Sequence, residues 1–405
     1  MTTRVRVLRP DELRGAHSLF AGALHRASLD DDAWERSRHS YSPGRTLGVD
    51  DGSGLIGTTT SFPTRTAVPG GAALDTAAVT RVGVRADRTR RGVLSAMMAD
   101  LLDGCGARAE PLASLRASEA RIYGRFGYGV ATRGRAVTVR TRGGWRSGAP
   151  EGGPVRLLSV SEIVPVLTAL HDRIATRRTG GIARNPAWWA QSVGHRVTAH
   201  EHVLAAVHTG PGGDDGFAVA VPGADGDSFA DRALRVTDLH ATGIEATAGL
   251  WRFLLGLDLV GRIEAGMRPV DEPLELLLDD PRACTVDDVT DETWLRIVDV
   301  PAALAARSWG AAPAVLLAVH DRQRPQNAGV YRVGEGTAAR VAPLDGPVDP
   351  QLECDVAALA MAYLGDRAPS RLADAGWWRV HDPAAPARAD AVFATDAVPW
   401  CGTYF

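Results

Sequence analysis

Cysteine is scarce in this chain of 405 residues, and Cys105, Cys284, Cys354 and Cys401 stand far apart with no C-x-x-C pair among them. That spacing excludes a metal knuckle and predicts a reduced, cytoplasmic protein. Long apolar runs are missing too: none approaches the ~20 residues a bilayer span requires. The opening Met1-Thr2-Thr3-Arg4-Val5-Arg6-Val7 lacks the apolar core of a secretion signal, so no membrane partner is expected. Nor is there an excess of one charge, since the formal net charge is −3. Nothing global therefore points to nucleic acid or to an anionic membrane. The cationic charge comes from arginine, and Ala and Gly are abundant, which reads as GC-rich coding more than as function. A hydrophobic fraction of 45% is ordinary for a globular protein, and the length predicts two or three domains.

The informative stretch runs from Val79 to Gly129. Its centre is Val79-Thr80-Arg81-Val82-Gly83-Val84-Arg85-Ala86-Asp87-Arg88-Thr89-Arg90-Arg91-Gly92-Val93-Leu94. Alternation at Val82 and Val84 predicts a strand ending in a basic turn, and Val93, Leu94, Met97, Met98, Leu101 and Leu102 predict a buried helix after it. Unpaired N–H groups and the helix dipole favour an anion at such a helix start, where Arg88, Arg90 and Arg91 add three cations. Gly92 removes a side chain where a phosphate would approach, and Gly104 is placed to end the helix. Alone, the turn fits a solvated surface as well as it fits a pyrophosphate site.

One strand later stands Ser118-Glu119-Ala120-Arg121-Ile122-Tyr123-Gly124-Arg125-Phe126-Gly127-Tyr128-Gly129. Together the two motifs resemble the acetyl-CoA site of the GNAT acyltransferases, and within them that of the enhanced intracellular survival N-acetyltransferase family. Trp294 to Arg307 and the C-terminus resemble the same family, so the likeness spans essentially the full length. It implies a mixed α/β and α+β fold: tandem GNAT domains, the second degenerate, followed by a sterol-carrier-like α+β domain. The corresponding spans are 1–142, 155–285 and 286–405. Val82, Gly83 and Val84 match the strand that holds pantetheine and polarises the thioester. Arg90, Arg91, Gly92, Val93, Leu94 and Ser95 match the pyrophosphate turn, and Ser118 with Glu119 the second cofactor contact. Tyr123 matches the proton donor, and Phe405 the terminal residue whose carboxylate is the base. The resemblance further implies acetyl-CoA as co-substrate, no metal, an amine acceptor (an aminoglycoside-like polyamine or a lysine side chain) and a homohexamer. Thr89 and Leu94 depart from the broad GNAT turn, which carries Gln or Arg three residues before its Gly and a small residue two after. Tyr404 makes the tail less acidic than in aminoglycoside-modifying members, which bears on substrate class.

Read in order, the chain opens with a strand near Val5 to Leu8 and a helix carrying Leu13, Ala16, Phe20 and Leu24. Asp30, Asp31, Asp32 and Glu35 surround Trp34, either to receive a cation or as a solvated loop around one buried ring. Thr46 to Val49 and Leu55 to Val68 flank a hairpin turn, and Pro69-Gly70-Gly71 leads into the strand ending at Val84. The next strand, Leu112 to Ala117, is expected beside it through a right-handed crossover. After a strand at Ala136 to Arg140, Gly143 to Pro154 reads as a linker. The second segment holds a helix around Val164 to Arg177, Trp188 and Trp189 after Asn185-Pro186, a strand at His202 to Val207 and the helical Leu250 to Leu254 run. It has no second Arg-Arg-Gly turn, and His240 and Glu245 read as an exposed helix cap rather than as catalytic groups. Acidic, Pro-containing sequence from Arg268 to Thr293 marks the next boundary. Strands at Ala314 to His320, Gly329 to Val333 and Ala338 to Val341 and a helix from Cys354 to Leu364 follow.

Two functions fit these residues. One is acetyl-CoA-dependent N-acetyl transfer to amines by direct attack; the other is a non-catalytic acyl-CoA or hydrophobic-ligand carrier. Tyr123 favours the enzyme, because a phenol of pKa about 10 can protonate a departing thiolate whose thiol pKa is near about 8.5. Its other reading is a packed tyrosine.

Overall fold

The computed structural model describes residues 4–223 and 232–405, so the first three residues of the opening stretch lie outside it. Contacts divide the chain into two compact units: Met1–Ala131 with Thr293–Asp396 and Phe405, and Thr132–Glu292 with Ala397–Tyr404.

The first unit begins with β1 (Arg4–Val7), α1 (Leu13–Ala23) and α2 (Asp31–Ser37), then the antiparallel run β2 (Thr46–Asp50), β3 (Leu55–Ala67) and β4 (Ala73–Val84). Asp50 and Asp51 shape the β2–β3 turn by accepting bonds from the N–H groups of Gly52 (2.7 Å) and Ser53 (3.0 Å). Next come α3 (Val93–Ala107), β5 (Leu112–Leu115), α4 (Ala120–Tyr123) and β6 (Gly129–Val130). Buried Met97, Met98, Leu101, Leu102 and Cys105 give α3 its core face, and the helix runs past Gly104, which was expected to end it.

β5 pairs parallel to β4 only from Thr76 to Val79, not along Val79 to Val84. β5 then ends, and the partner on its other side is the strand Trp294–Ile297, which also pairs with β6. The sequence read that segment as the start of the third region; apolar Leu295 and Ile297 instead complete the first sheet. Opposite Thr59 of β3 a bulge accommodates Arg81 and Val82, with Thr58 facing Gly83 and Thr60 facing Thr80. Arg81 sits there at φ 51. Bulges raise local twist, and this one lies where β4 outruns β5.

The remainder of this unit is a five-stranded sheet in the order Thr337–Ala342, Gly329–Gly334, Val315–His320, Leu352–Asp355, Trp378–Val380. Helix Val356–Tyr363 begins two residues after Cys354, which belongs to the preceding strand because Asp355 caps the helix through the Ala358 N–H (2.8 Å). Leu304, Trp309, Val315, Leu317, Tyr331, Leu359 and Phe393 fill its interior with side chains.

The second unit is a seven-stranded sheet: Cys284–Asp291, Arg133–Arg140, Arg262–Pro269, Ala233–Ala241, Gly213–Pro222, Leu204–Gly210, Val155–Leu157. Two expectations change here. The strand foreseen at Ala136 to Arg140 lies inside this sheet, because Val137 and Val139 bury against Ile263 and Ala265. The acidic run after Arg268 contains its edge strand, whose Thr285, Asp287, Asp288 and Asp291 stay exposed and polar, as a sheet edge requires. The first helix, expected at Val164 to Arg177, spans Val160–Ile174 behind a Ser159/Glu162 capping box and continues as a short 3-10 turn to Arg177.

Candidate active site

After β4 the chain makes one 3-10 turn at Ala86–Arg88 and reaches Thr89-Arg90-Arg91-Gly92, from which α3 starts. Arg90 (φ 60) and Gly92 (φ 82) both adopt the left-handed region. For an L-residue that conformation costs about 1–2 kcal/mol, and alternating it with ordinary geometry turns successive N–H groups into one concavity. Among the described residues no side chain caps α3, and apart from Gly92 and its chain neighbours no heavy atom lies within 4 Å of the point where a Cβ on Gly92 would stand. The N–H groups of Val93, Leu94 and Ser95 precede the first intrahelical bond, Ala96 N–H to Gly92 O at 3.0 Å. Arg90 and Arg91 are exposed and make no ion pair among the described residues. Arg88 is different: it is held by Asp51 at 2.7 Å and by Asp87, which leaves two of the three expected cations available. Open backbone, a dipole's positive end and two unengaged guanidiniums fit a pyrophosphate.

The two faces of the sheet are set by its close contacts. A Cβ on Gly57 would meet Val93 and Met97 of α3, whereas one on Gly83 would lie 2.9 Å from the Phe20 Cα of α1, so only glycine lets α1 cross there. Val79 and Tyr123 share a core with Met98 and Leu101 of α3, and Val82 and Leu94 pack at its margin. Tyr123 is 5% exposed and its ring meets Tyr128 edge-on at 6.0 Å. Burial pushes its phenol up to about 12, and among the described residues the hydroxyl has no hydrogen-bond partner. Exposed Glu119 caps the short helix that carries Tyr123, accepting weakly from the Arg121 N–H at 3.4 Å, while Ser118 is exposed beside it. On the opposite, α1-facing side, the Phe405 ring meets Phe62 edge-on at 5.6 Å, and Phe62 pairs with Ala78 of β4. Tyr123 and Phe405 therefore flank the β3–β4 ladder from its two faces.

The residues before Phe405 are held within the second unit by hydrogen bonds to their backbone and by the burial of Trp400. Trp400 is buried, but Tyr404 is 63% exposed. Glu292 accepts from the Cys401 N–H (3.0 Å) and the Gly402 N–H (2.8 Å). Arg184 donates to Gly402 O (3.0 Å) and Thr403 Oγ1 (3.1 Å), and Trp188 Nε1–H donates to Tyr404 O (2.6 Å). Arg184 is itself fixed by a two-pronged pair with Asp238 and by His240 Nε2 at 3.2 Å. His240, expected on an exposed cap, is instead a buried strand residue, 6% exposed, because Phe217 stacks on it at 5.4 Å and Trp400 lies at 4.7 Å. Glu245 does sit in the first turn of a helix, Ile244–Leu255, where it accepts from the Gly152 N–H at 3.2 Å. That helix places an acid where a phosphate site needs cations.

Comparison with known proteins identifies the domains and the family. Residues 4–131 and 180–297 match models of an acetyltransferase (GNAT) domain, and residues 300–402 a sterol carrier protein domain. The chain is 36% identical to N-acetyltransferase Eis of Mycobacterium bovis over 86% of this chain and 85% of that protein. It belongs to the Eis family of GNAT N-acetyltransferases. An uncharacterized N-acetyltransferase of Streptomyces avermitilis is 35% identical over 99% of both chains. The crystal structure of Eis1 from Mycobacterium abscessus superimposes with a TM-score of 0.89 at 36% identity, covering 100% of each chain.

The chain is thus an N-acetyltransferase of the Eis type, its acceptor an amine, and GNAT acetyltransferases use acetyl-CoA. Among the described residues no helix is long and apolar enough to cross a membrane. Arg184, Asp238 and Glu292 escaped sequence reasoning: Arg184 and Gly402 lie 218 positions apart, and no local pattern marks them. Burial alone raises the Asp238 carboxyl, yet Arg184 and His240 hold it below its ordinary value. Arg184→Ala strands that carboxylate, and breaking a buried pair costs about 3–5 kcal/mol. The expected result is a markedly lower urea midpoint together with reduced turnover, whereas an unchanged midpoint would show that the pair carries no stability. Because the Asp238 pKa is depressed on folding, the pair's stabilisation is full above the unfolded carboxylate pKa of about 4 and fades as pH falls through the folded value.

Proposed function

We propose that this Eis-family enzyme transfers acetyl from acetyl-CoA directly to an amine, an aminoglycoside-like polyamine or a lysine side chain, with both substrates bound together. The observation that carries this reading is the edge of β4 beyond Val79, which β5 does not cover, followed through one 3-10 turn by a helix start with no side-chain cap and two arginines that make no ion pair among the described residues. Val82, Gly83 and Val84 would present amide groups to pantetheine and the thioester oxygen, and such fixed dipoles need no reorganisation as charge develops. Arg90, Arg91, Gly92, Val93, Leu94 and Ser95 would hold the pyrophosphate, and Ser118 and Glu119 the second cofactor contact. Acetyl-CoA supplies the acetyl group, and no metal is needed for the transfer.

The terminal carboxylate of Phe405 takes a proton from the acceptor ammonium, directly or through a water. The freed nitrogen attacks the thioester carbonyl, the C–N bond forms as C–S breaks, Tyr123 protonates the leaving thiolate, and the second proton on the attacking nitrogen passes through water to return Tyr123 to its phenol. Placing Phe405 and Tyr123 on opposite faces of the β3–β4 ladder separates proton acceptance from proton donation. By family resemblance the enzyme would act in the cytoplasm as a homohexamer. A carrier role has less support: side chains fill the third region, and the groove of about 1020 Å³ that opens on it is walled in part by Arg125, His320, Arg322, Glu353 and Arg379.

Steady-state acetyl transfer to an aminoglycoside panel and to lysine-containing peptides tests the function, and CoA release with none of these amines would refute it. The cofactor assignment is tested separately. Each charged phosphate contact is worth about 1.5–3 kcal/mol, so replacing both Arg90 and Arg91 by Ala should weaken acetyl-CoA binding by about two decades or more, with the fold intact by circular dichroism. Parent-like affinity in the double variant removes the turn from the site.

A further inference from the structure

Three of the acids around Trp34 are engaged away from its ring. Asp30 caps α2 through the Ala33 N–H (2.8 Å), Asp31 pairs with Arg14 (2.5 Å) and Glu35 with Arg38 (2.7 Å), all at the surface. The charge within this aromatic cluster has the opposite sign. Trp34 and Tyr41 are buried with ring centroids 5.9 Å apart, and His17 of α1 lies 6.0 Å from Trp34 and bonds the Tyr41 hydroxyl at 2.9 Å. The Arg81 guanidinium stands 4.5 Å over the Tyr41 ring and donates to Ser40 Oγ at 2.6 Å. Among the described residues no carboxylate pairs with Arg81.

A partly buried cation without a counter-charge is costly, and this one also occupies a left-handed backbone position in the β4 bulge. Burial and Arg81 together lower the His17 pKa to about 4, so that ring is neutral near pH 7 and adds no charge of its own. Arg81 reaches toward α1 and the chain just after α2, the side of the sheet on which Phe405 contacts Phe62, and it immediately precedes Val82. If the terminal carboxylate is the base, the acceptor amine arrives on that face.

We propose that Arg81 binds an anionic group of the acceptor, so that the preferred substrate is an amine carrying a carboxylate, as in a free amino acid or a peptide, rather than a polycation. The inference rests on the reading of Phe405 as the base and narrows the acceptor class of that same site. A guanidinium suits this task because its planar fork matches a carboxylate, and the aromatic wall holds it in place without neutralising it.

The test uses the full-length enzyme and two matched pairs: lysine against cadaverine, which lacks the carboxylate, and a lysine-containing peptide with a free C-terminus against its amide. A charged hydrogen-bonded contact predicts a kcat/KM preference of about 10–100-fold for the carboxylate-bearing member. Preference in the first pair alone marks free amino acids, and in the second a peptide terminus. Arg81→Met should bring the ratio close to one, chiefly through KM, without lowering the melting temperature, and Arg81→Lys should restore part of it. Equal rates in both pairs for the parent, or a preference for cadaverine, overturn the proposal. So does an Arg81→Met enzyme that loses activity equally within each pair and melts earlier, since that marks a structural arginine. Calorimetric titration of the same compounds into the CoA-bound enzyme decides the matter independently of turnover: tighter binding of the carboxylate member supports it even if acetyl transfer fails, and equal binding refutes it.

Discussion

Appending a few small polar residues after Phe405 is expected to abolish most acetyl transfer while leaving thermal stability unchanged. The change keeps every side chain and every bond that holds the tail: Glu292 to the Cys401 and Gly402 N–H groups, Arg184 to Gly402 and Thr403, and Trp188 to Tyr404. It moves only the negative charge. A carboxylate of reference pKa about 3.5 is a weak base for an ammonium, so its usefulness depends on where it stands, and displacement by one extra residue of up to about 3.6 Å is already ruinous. If the tail merely seals a surface, the extended enzyme turns over normally and activity falls only on deleting Tyr404 and Phe405. Full activity in an extended enzyme, its tail verified intact by mass, therefore excludes the terminal carboxylate as base.

The second large effect is expected at Tyr123. Tyr123→Phe should leave acetyl-CoA affinity near that of the parent and lower turnover by about 10²–10⁴-fold, the usual range for losing a general acid. The substitution removes one oxygen from a side chain that is 5% exposed and keeps the ring contact with Tyr128. Because the hydroxyl has no partner among the described residues, no internal hydrogen bond is lost, and the variant should be as stable as the parent. Burial pushes the phenol up to about 12, so it stays protonated and able to donate throughout the neutral range. Unchanged turnover at saturating acetyl-CoA, with chemistry shown to limit the rate, retires Tyr123 from this role.

Local signals were legible in the sequence and distant pairings were not. The β4 strand, the Arg-Arg-Gly turn and α3 could be read because alternation, a left-handed glycine and helical apolar spacing all act within a few residues. The edges of the regions could not, since Arg133–Arg140 and Trp294–Ile297 take their sheets from partners far along the chain. Of the two readings open for the acids beside Trp34, the solvated one around a buried ring holds: Asp31, Glu35 and Asp30 turn to Arg14, Arg38 and a helix cap, while Arg81 arrives from another strand to set the charge. In the tail Trp400 is buried while Tyr404 is exposed, and hydrogen bonds to the tail's backbone share in the hold. Its principal anchor, Arg184, has no local signature.

The central claim is direct transfer of acetyl to an amine in a site built on β4 and α3. It is tested most directly by mixing the enzyme with acetyl-CoA labelled in its acetyl group and a set of amines, both lysine-containing compounds and aminoglycosides, and following the label by mass spectrometry. The account predicts label on an amine nitrogen, one CoA released per amide formed, and no label retained on the protein. Label accumulating on a protein side chain before reaching the amine, or CoA bound with no amine acetylated, would contradict it.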